Sequence, residues 1–113
     1  MVPAADSTAR FFDHYLDDYR NLPMSTFAKY IGGADPSNGG ETYNLMQGLN
    51  MNGSPLANGT TFMVPGDPVT GTGDIDVFPS NRMMVATWGP FTFNPGDSQF
   101  VYYKIGVAQA GGN

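Results

Sequence analysis

Few side chains in this sequence have the type and spacing that catalysis or metal binding requires. The single histidine, His14, lies between Asp13 and the pair Asp17–Asp18, and imidazole beside carboxylates is a combination used in general acid–base catalysis. No serine lies at a motif spacing from His14, although the partners of a hydrolase triad can be distant in sequence. The absence of cysteine excludes thiol catalysis, disulfides and cysteine-based zinc sites. We therefore interpret His14 as a surface or interface residue and predict no enzymatic activity.

A glycine-rich loop carries three further candidates, Asp67, Asp74 and Asp76. Carboxylate oxygens are the hard donors that Ca²⁺ prefers, so these residues form a candidate calcium site, and no other cofactor is expected. The spacing matches no EF-hand, because DPVTGTGDID lacks a closing bidentate glutamate. The alternative is that Asp67 makes an Asx turn and that the other two are solvated loop residues.

A glycosylation sequon is present at Asn58, in Asn58-Gly59-Thr60. Because Asn-Gly is also common turn chemistry, the tripeptide has a purely structural interpretation as well. Asn58 is the candidate glycosylation site.

The composition bounds the class of protein. The chain has 113 residues, enough for one domain, and only 13% are charged, about half the usual share. Its five basic residues are scattered among ten acidic ones, which argues against nucleic acid as a partner. No apolar run approaches the length of a membrane span, so membrane insertion is not expected. With 15 glycines and 9 prolines, the sequence predicts short strands joined by many turns.

The order of elements follows from the patterning. Residues 1–9 are unpatterned and predict an N-terminal arm ahead of one domain over residues 10–113. RFFDHYLDDY fits an amphipathic helix, but its aromatic content and the NLP that follows it favour a strand or extended arm. Strands are predicted at 24–31, 60–64, 82–88, 91–93 and 99–108, and a short helix near 41–47 with Gly48 as its left-handed C-terminal residue. The predicted class is mainly β, an antiparallel β-sandwich or jelly-roll-like domain with one short helix.

The last predicted strand carries apolar residues on both faces. Pro95 and Gly96 predict a type II turn before it. One face is predicted to join the core; it holds Val101, Tyr103, Ile105 and Val107. Phe100 and Tyr102 lie on the opposite face, where a solvated sheet carries polar side chains.

Aromatic residues on an outer face of a sheet are expected to be buried by another surface. An exposed apolar patch usually marks an interface, so a second subunit is expected to cover Phe100 and Tyr102. Phe11 and Phe12 are predicted to belong to the same interface. Alternatively, exposed tyrosine and tryptophan would stack on sugar rings, as in a carbohydrate-binding module.

Several segments taken together resemble a known family. They are NLPMSTFAKYI, ETYNLMQGL followed by NGSP, TFMVPGDP, and NRMMVATWGPFTFNPGDSQ running into VYYKIGVA. Over about residues 17–110, the chain resembles a β-rich segment of very large secreted and surface proteins of Bacteroidetes-type bacteria, usually upstream of a C-terminal sorting domain. The family implies an extracellular or cell-surface location and supplies no active-site residues. Here the segment is expected to be a stand-alone unit.

These observations predict a non-enzymatic extracellular structural subunit. Copies of the chain are expected to assemble head to tail into a filament through strand or arm exchange and aromatic interfaces, with the N-terminal arm adding to a sheet edge of the next copy. The alternative is a carbohydrate-binding or adhesion module of a larger bacterial surface protein, with glycans as its partners.

Overall fold

The computed structural model describes residues 1–78 and 80–106. Over these residues the protein is mainly β, with four strands in two small antiparallel sheets and one short helix. The elements are β1 (Val2–Phe11), β2 (His14–Arg20), β3 (Met24–Ile31), α1 (Gly39–Met46) and β4 (Arg82–Trp88). Two compact units result. We call Met24–Trp88 the helix unit, and residues 1–23 with residues 89–106 the hairpin unit.

The hairpin unit is built on β1 and β2, which pair antiparallel from Phe11↔His14 back to Val2↔Arg20. RFFDHYLDDY is thus extended rather than helical, as predicted, but a turn at Phe12 and Asp13 divides it between the end of β1 and β2. The register shifts between Pro3 and Thr8, so several β1 residues bulge out of the ladder. Because of the bulge, apolar and polar residues do not alternate along β1, and this alternation is the pattern by which a strand is recognised in a sequence.

Residues 1–9, predicted as an unpatterned arm, lie largely within β1. Val2 is 3% exposed and Ala9 is fully buried, so this segment contributes to the interior of its own chain. The arm interpretation is corrected accordingly, because β2 follows directly in sequence and supplies a partner strand.

The helix unit pairs β3 with β4 in an antiparallel ladder from Ile31↔Arg82 to Met24↔Trp88. Both strands were predicted at these positions. Ala28 of β3 is fully buried, and the Thr26 hydroxyl donates a hydrogen bond to the Met46 carbonyl at 3.0 Å. This bond links β3 to the end of α1, whose Leu45 is 1% exposed.

Helix α1 is defined by its two ends. The Asn38 side chain accepts a hydrogen bond from the Glu41 N–H at 3.0 Å, and the Glu41 carboxylate accepts one from the Ser37 N–H at 2.7 Å. The first bond satisfies a donor that a helix start leaves free, and the second fixes the residue that precedes the cap. Gly48 follows the helix at φ +76°, the left-handed conformation predicted for it. The predicted helix is confirmed and begins slightly earlier, at Gly39.

Other predicted strands are absent from the described residues. Over 60–64 the chain forms only a parallel bridge, Phe27↔Phe62, on the outer edge of β3. Residues 91–93 and 99–106 form no strand, and positions 107–108 of the last predicted strand lie outside the described residues. The turn before it is confirmed, since the Asp97 N–H donates to the Asn94 carbonyl at 3.0 Å and Gly96 has φ +91°.

Candidate functional site

The candidate site is the segment after the Pro95-Gly96 turn, which lies against the hairpin of its own unit. The Met1 nitrogen donates to the Phe100 carbonyl at 2.8 Å, and the Phe100 N–H donates to the Met1 carbonyl at 3.2 Å. This pair of bonds places Phe100 beside the start of β1. Beyond Phe100, the backbone of residues 101–106 makes no hydrogen bond with any described residue.

One face of this segment packs on the hairpin through aromatic rings. Tyr102 stacks on Phe11 with ring centroids 5.1 Å apart, and Phe100 meets Tyr19 edge to face at 5.8 Å. Phe12 packs edge to face on Phe11 at 4.7 Å. Three of the four residues predicted as an interface thus form one aromatic cluster, Phe11, Phe12 and Tyr102, and the fourth, Phe100, pairs separately with Tyr19. The hairpin of the same chain supplies part of the cover, and Phe100 and Tyr102 remain 41% and 44% exposed.

The opposite face is the more exposed one. Its residues are Val101, Tyr103 and Ile105, with exposed fractions of 55%, 68% and 75%. We call this set the C-terminal apolar face. The prediction that these residues join the core is wrong for the described positions, and Val107 of the same set lies outside them.

The predicted core face is the exposed one because the sequence pattern does not distinguish the two faces. Both faces of the segment are apolar, so period-two alternation separates them without showing which one is buried. Phe11 and Tyr19 of the hairpin offer aromatic partners to Tyr102 and Phe100. These contacts between rings select the face that packs on the hairpin.

A small cavity of about 260 Å³ lies beside Tyr102 in the hairpin unit. It is lined by Met1, Arg10, Phe11, Asn21, Leu22, Pro23 and Tyr102. The Asn21 amide closes one side by bonding both backbone groups of Arg10, at 2.9 and 2.8 Å. Ligand pockets usually hold roughly 300–1,000 Å³, so this cavity is a packing gap rather than a convincing ligand site.

His14 lies at the exposed end of the hairpin. Its Nε2 is 3.8 Å from the Asp13 carboxylate, and the two side chains are 71% and 93% exposed. The nearest aromatic partner is Tyr102, with ring centroids 6.3 Å apart. The structure thus places His14 at the surface, without a nucleophile in contact among the described residues.

The three loop aspartates have different partners. Asp67 accepts bonds from the Val69 and Thr70 N–H groups at 2.8 and 3.4 Å, the Asx turn that was the alternative to calcium binding. These bonds hold the pKa of the Asp67 carboxyl below its ordinary value. Asp74 accepts a bond from the Asn58 amide at 3.0 Å. Among the described residues no group of three potential ligands could hold a metal ion, so the placement gives calcium no support.

Asp76 is instead the centre of an ion-pair cluster that sequence reasoning missed. Its carboxylate accepts bonds from Arg82 at 2.6 and 2.8 Å and from Lys29 at 2.8 Å. The Arg82 hydrogen bonds, followed by that of Lys29, hold the pKa of Asp76 far below its ordinary value. The cluster ties the glycine-rich loop to β3 and β4. Lys29 is too distant in sequence from Asp76 for a local pattern to reveal the pair.

The sequon asparagine uses its whole side chain in local structure. Asn58 Nδ2 donates to the Phe62 carbonyl and to Asp74, and its Oδ1 accepts from the N–H and hydroxyl of Thr60. A glycan on Nδ2 would replace one of these donors. The Asn58 sequon is thus a turn motif in this structure, and its glycosylation stays a prediction.

Comparisons with known proteins leave the function to be argued from geometry. The chain matches no protein-family model, no curated protein and no solved structure. The resemblance to bacterial surface-protein segments therefore stays a prediction. In the part of the chain that is described, no helix has the length and apolar character needed to cross a membrane.

Proposed function

We propose that the protein is a non-enzymatic extracellular structural subunit that assembles head to tail with copies of itself. The observation that carries the proposal is the C-terminal apolar face, which is exposed on a segment whose backbone, beyond Phe100, has no hydrogen-bonded partner in the described part of the chain. Val101 and Tyr103 alternate with Phe100 and Tyr102, which already pack on the hairpin, and Ile105 continues the exposed face. A second chain laid against this face would bury them.

The energetics favour association over solvent exposure. Burying a side chain the size of valine or isoleucine contributes about 1.5–3 kcal/mol, and the face presents several such side chains within one short segment. Lys104 is the single charged residue among positions 99–106. Interface cores are depleted in charge and enriched in aromatic residues, which is the composition of this segment.

The open sheets support the same proposal. Each sheet has two strands in the described part of the chain, and a two-stranded sheet is marginal in water without further strands or packing. Unpaired edges are templates for another strand. The proposal retains the antiparallel sandwich or jelly-roll-like architecture expected from the sequence, in which such sheets gain additional strands and a second layer.

The extracellular setting of the proposal rests on the sequence resemblance to segments of secreted bacterial surface proteins. A head-to-tail contact joins two different surfaces and does not close on itself, so it propagates into a filament. That geometry requires a donor surface and an acceptor surface on each copy.

Electron microscopy over a concentration series of the purified protein tests the proposal. Regular fibres whose length and number rise with concentration are expected. A monodisperse monomer at every concentration would contradict self-assembly.

One further observation favours a second candidate, the carbohydrate-binding or adhesion module. Phe12 and Tyr15 are 64% and 61% exposed near the hairpin turn, and the Arg10 guanidinium lies 5.2 Å from the centre of the Tyr15 ring. Exposed rings beside a cation can stack on sugars. Calorimetric titration with soluble polysaccharides distinguishes the candidates: saturable heat lost in Phe12→Ala/Tyr15→Ala would support the module, whereas no heat in wild type would exclude it for those glycans.

A further inference from the structure

We propose that residues 99–106 are the strand that each subunit donates, and that the free edge of β4 in a second copy accepts it. The inference rests on the proposed self-assembly and specifies its two surfaces. It replaces the N-terminal arm as donor, because β1 is already paired with β2 within the chain.

The donor has the properties of a strand without a partner. Phe100, Val101, Tyr102, Tyr103 and Ile105 are β-branched or aromatic, the types that favour strands. Yet the segment is in no sheet, and beyond Phe100 its backbone has no hydrogen-bonded partner among the described residues. Backbone N–H and C=O groups need partners when they are buried. A neighbouring strand would provide those partners while covering the C-terminal apolar face.

The acceptor edge is the one that lacks protection. Soluble proteins guard edge strands with charged residues, prolines or bulges. After Arg82, β4 reads Met-Met-Val-Ala-Thr-Trp, without charge or proline. Its only partner strand in the described part of the chain is β3. Met83 and Met84 are 48% and 64% exposed, so apolar side chains are available beside this edge.

The remaining edges are less suited to accept a strand. β2 carries Asp17, Asp18 and Arg20, and β1 carries Pro3, Asp6 and Arg10 and contains the register shift. The outer edge of β3 is occupied at Phe27, whose N–H bonds the Thr61 carbonyl at 3.2 Å and whose carbonyl accepts from the Met63 N–H at 2.8 Å. Charged residues protect the edge of β2, charged residues and a proline protect that of β1, and the outer edge of β3 is already hydrogen-bonded. The remaining edge, that of β4, is therefore the acceptor.

The lengths of the two elements agree. β4 has 7 residues, and the donor spans residues 99–106. The occupant is a second copy of this chain, because in the described part of every copy the donor segment is unpaired beyond Phe100 and β4 has one edge without a partner strand. Each subunit can then donate to one neighbour and accept from another, as a head-to-tail filament requires.

Engineered disulfides test the pairing directly, because the natural chain contains no cysteine. Lys104→Cys lies within the donor and leaves the C-terminal apolar face intact, and Val85→Cys and Ala86→Cys lie near the middle of β4, so the test works for either strand direction. The two types of single variant are mixed at a concentration that gives assembly and then oxidised. A disulfide forms only when the Cβ atoms approach within about 4.5 Å. Val69→Cys, at an 82% exposed loop position, is the matched control.

We expect a cross-linked dimer of Lys104→Cys with Val85→Cys or Ala86→Cys, in several-fold higher yield than with Val69→Cys. Assembly without preferential cross-linking to β4 would overturn the donor-strand inference while leaving self-assembly intact. A chain carrying both cysteines that closes an internal disulfide at concentrations below assembly would also overturn it, because the segment would then pair with its own β4. Failure of wild type to assemble at all would remove the proposed function together with the inference.

Discussion

Tyr102 stacks on Phe11 of the same chain, with ring centroids 5.1 Å apart and ring planes inclined by 22°. This contact decides which face of the C-terminal segment its own hairpin covers. The neighbouring contact between Phe100 and Tyr19 acts in the same direction. Phe100 and Tyr102 thus stabilise the hairpin unit, and the residues between and beyond them are left for association.

Replacing the aromatic pair should therefore destabilise the monomer. In Phe100→Ser/Tyr102→Ser the two aromatic contacts are lost, and each such pair contributes about 0.5–1.5 kcal/mol beyond its burial. We expect a decrease of roughly 1–3 kcal/mol in the free energy of unfolding of the hairpin unit. Denaturant unfolding below the assembly concentration, followed by tyrosine fluorescence, measures it.

Val101→Ser/Tyr103→Ser is the matched control on the opposite face. Exposed substitutions usually change stability by less than about 0.5 kcal/mol, so this variant should unfold like wild type. A larger loss in the control than in Phe100→Ser/Tyr102→Ser would show that the face assignment is wrong.

Asp76→Asn should lower the melting temperature at neutral pH. It should also remove part of the decrease in stability that wild type shows as the pH becomes acidic. Arg82 and Lys29 hold the pKa of Asp76 below its ordinary value of 3.8, so the native state favours the carboxylate. The resulting stabilisation of the native state is fully present above pH 3.8, and it is lost as the pH falls from there through the lower native pKa. The melting temperatures of wild type and Asp76→Asn should thus differ most at pH 7, and the difference should shrink progressively as the pH falls below about 4.

The control for this prediction is Asp35→Asn, at an exposed loop position without an ion pair among the described residues. Its melting temperature should follow wild type across the same pH range. A constant difference between Asp76→Asn and wild type down to pH 2 would mean that the ion-pair cluster does not cause the acid dependence.

Gly48→Ala should destabilise the helix unit more than Gly59→Ala does. Both glycines have positive φ, +76° and +69°, and a left-handed backbone costs an L-residue about 1–2 kcal/mol. At Gly48 an added Cβ would also meet the Thr61 Cβ at 2.6 Å, whereas none lies within 4 Å at Gly59. Thermal unfolding of the two variants gives the comparison, and equal losses would argue against this close approach.

Met84→Lys should block assembly without unfolding the chain. Met84 is 64% exposed, and a lysine there would place on β4 the kind of charge that protects natural edge strands. Fibre formation by light scattering and the fold by circular dichroism are measured together. Val69→Lys adds the same charge at an exposed loop position and should leave assembly unchanged; normal fibres from Met84→Lys would contradict the role of β4.

The features predictable from sequence are those whose signals are local. β3 and β4 have strand-forming compositions ended by turn residues, and Gly48 follows a short helical stretch as a C-terminal glycine does. The Pro95-Gly96 turn needs only two residues to be recognised. In each case the side chains that set the backbone conformation lie within the element itself.

The features that were missed depend on partners distant in sequence. The face of the C-terminal segment is chosen by Phe11 and Tyr19, and the role of Asp76 is set by Arg82 and Lys29. β1 lost its alternation through the bulge between Pro3 and Thr8. Local patterns carry no information about such contacts, so the expected core face, calcium site and N-terminal arm rested on residue type alone.

Sedimentation velocity of wild type and Val101→Ser/Tyr103→Ser, over one concentration series, tests the central claim most directly. If the C-terminal apolar face joins subunits, wild type should form large species whose proportion rises with concentration. The variant should remain a folded monomer over the same range, because each lost apolar side chain removes about 1.5–3 kcal/mol of contact energy. Equal assembly of the two proteins would contradict the claim that this face holds the subunits together.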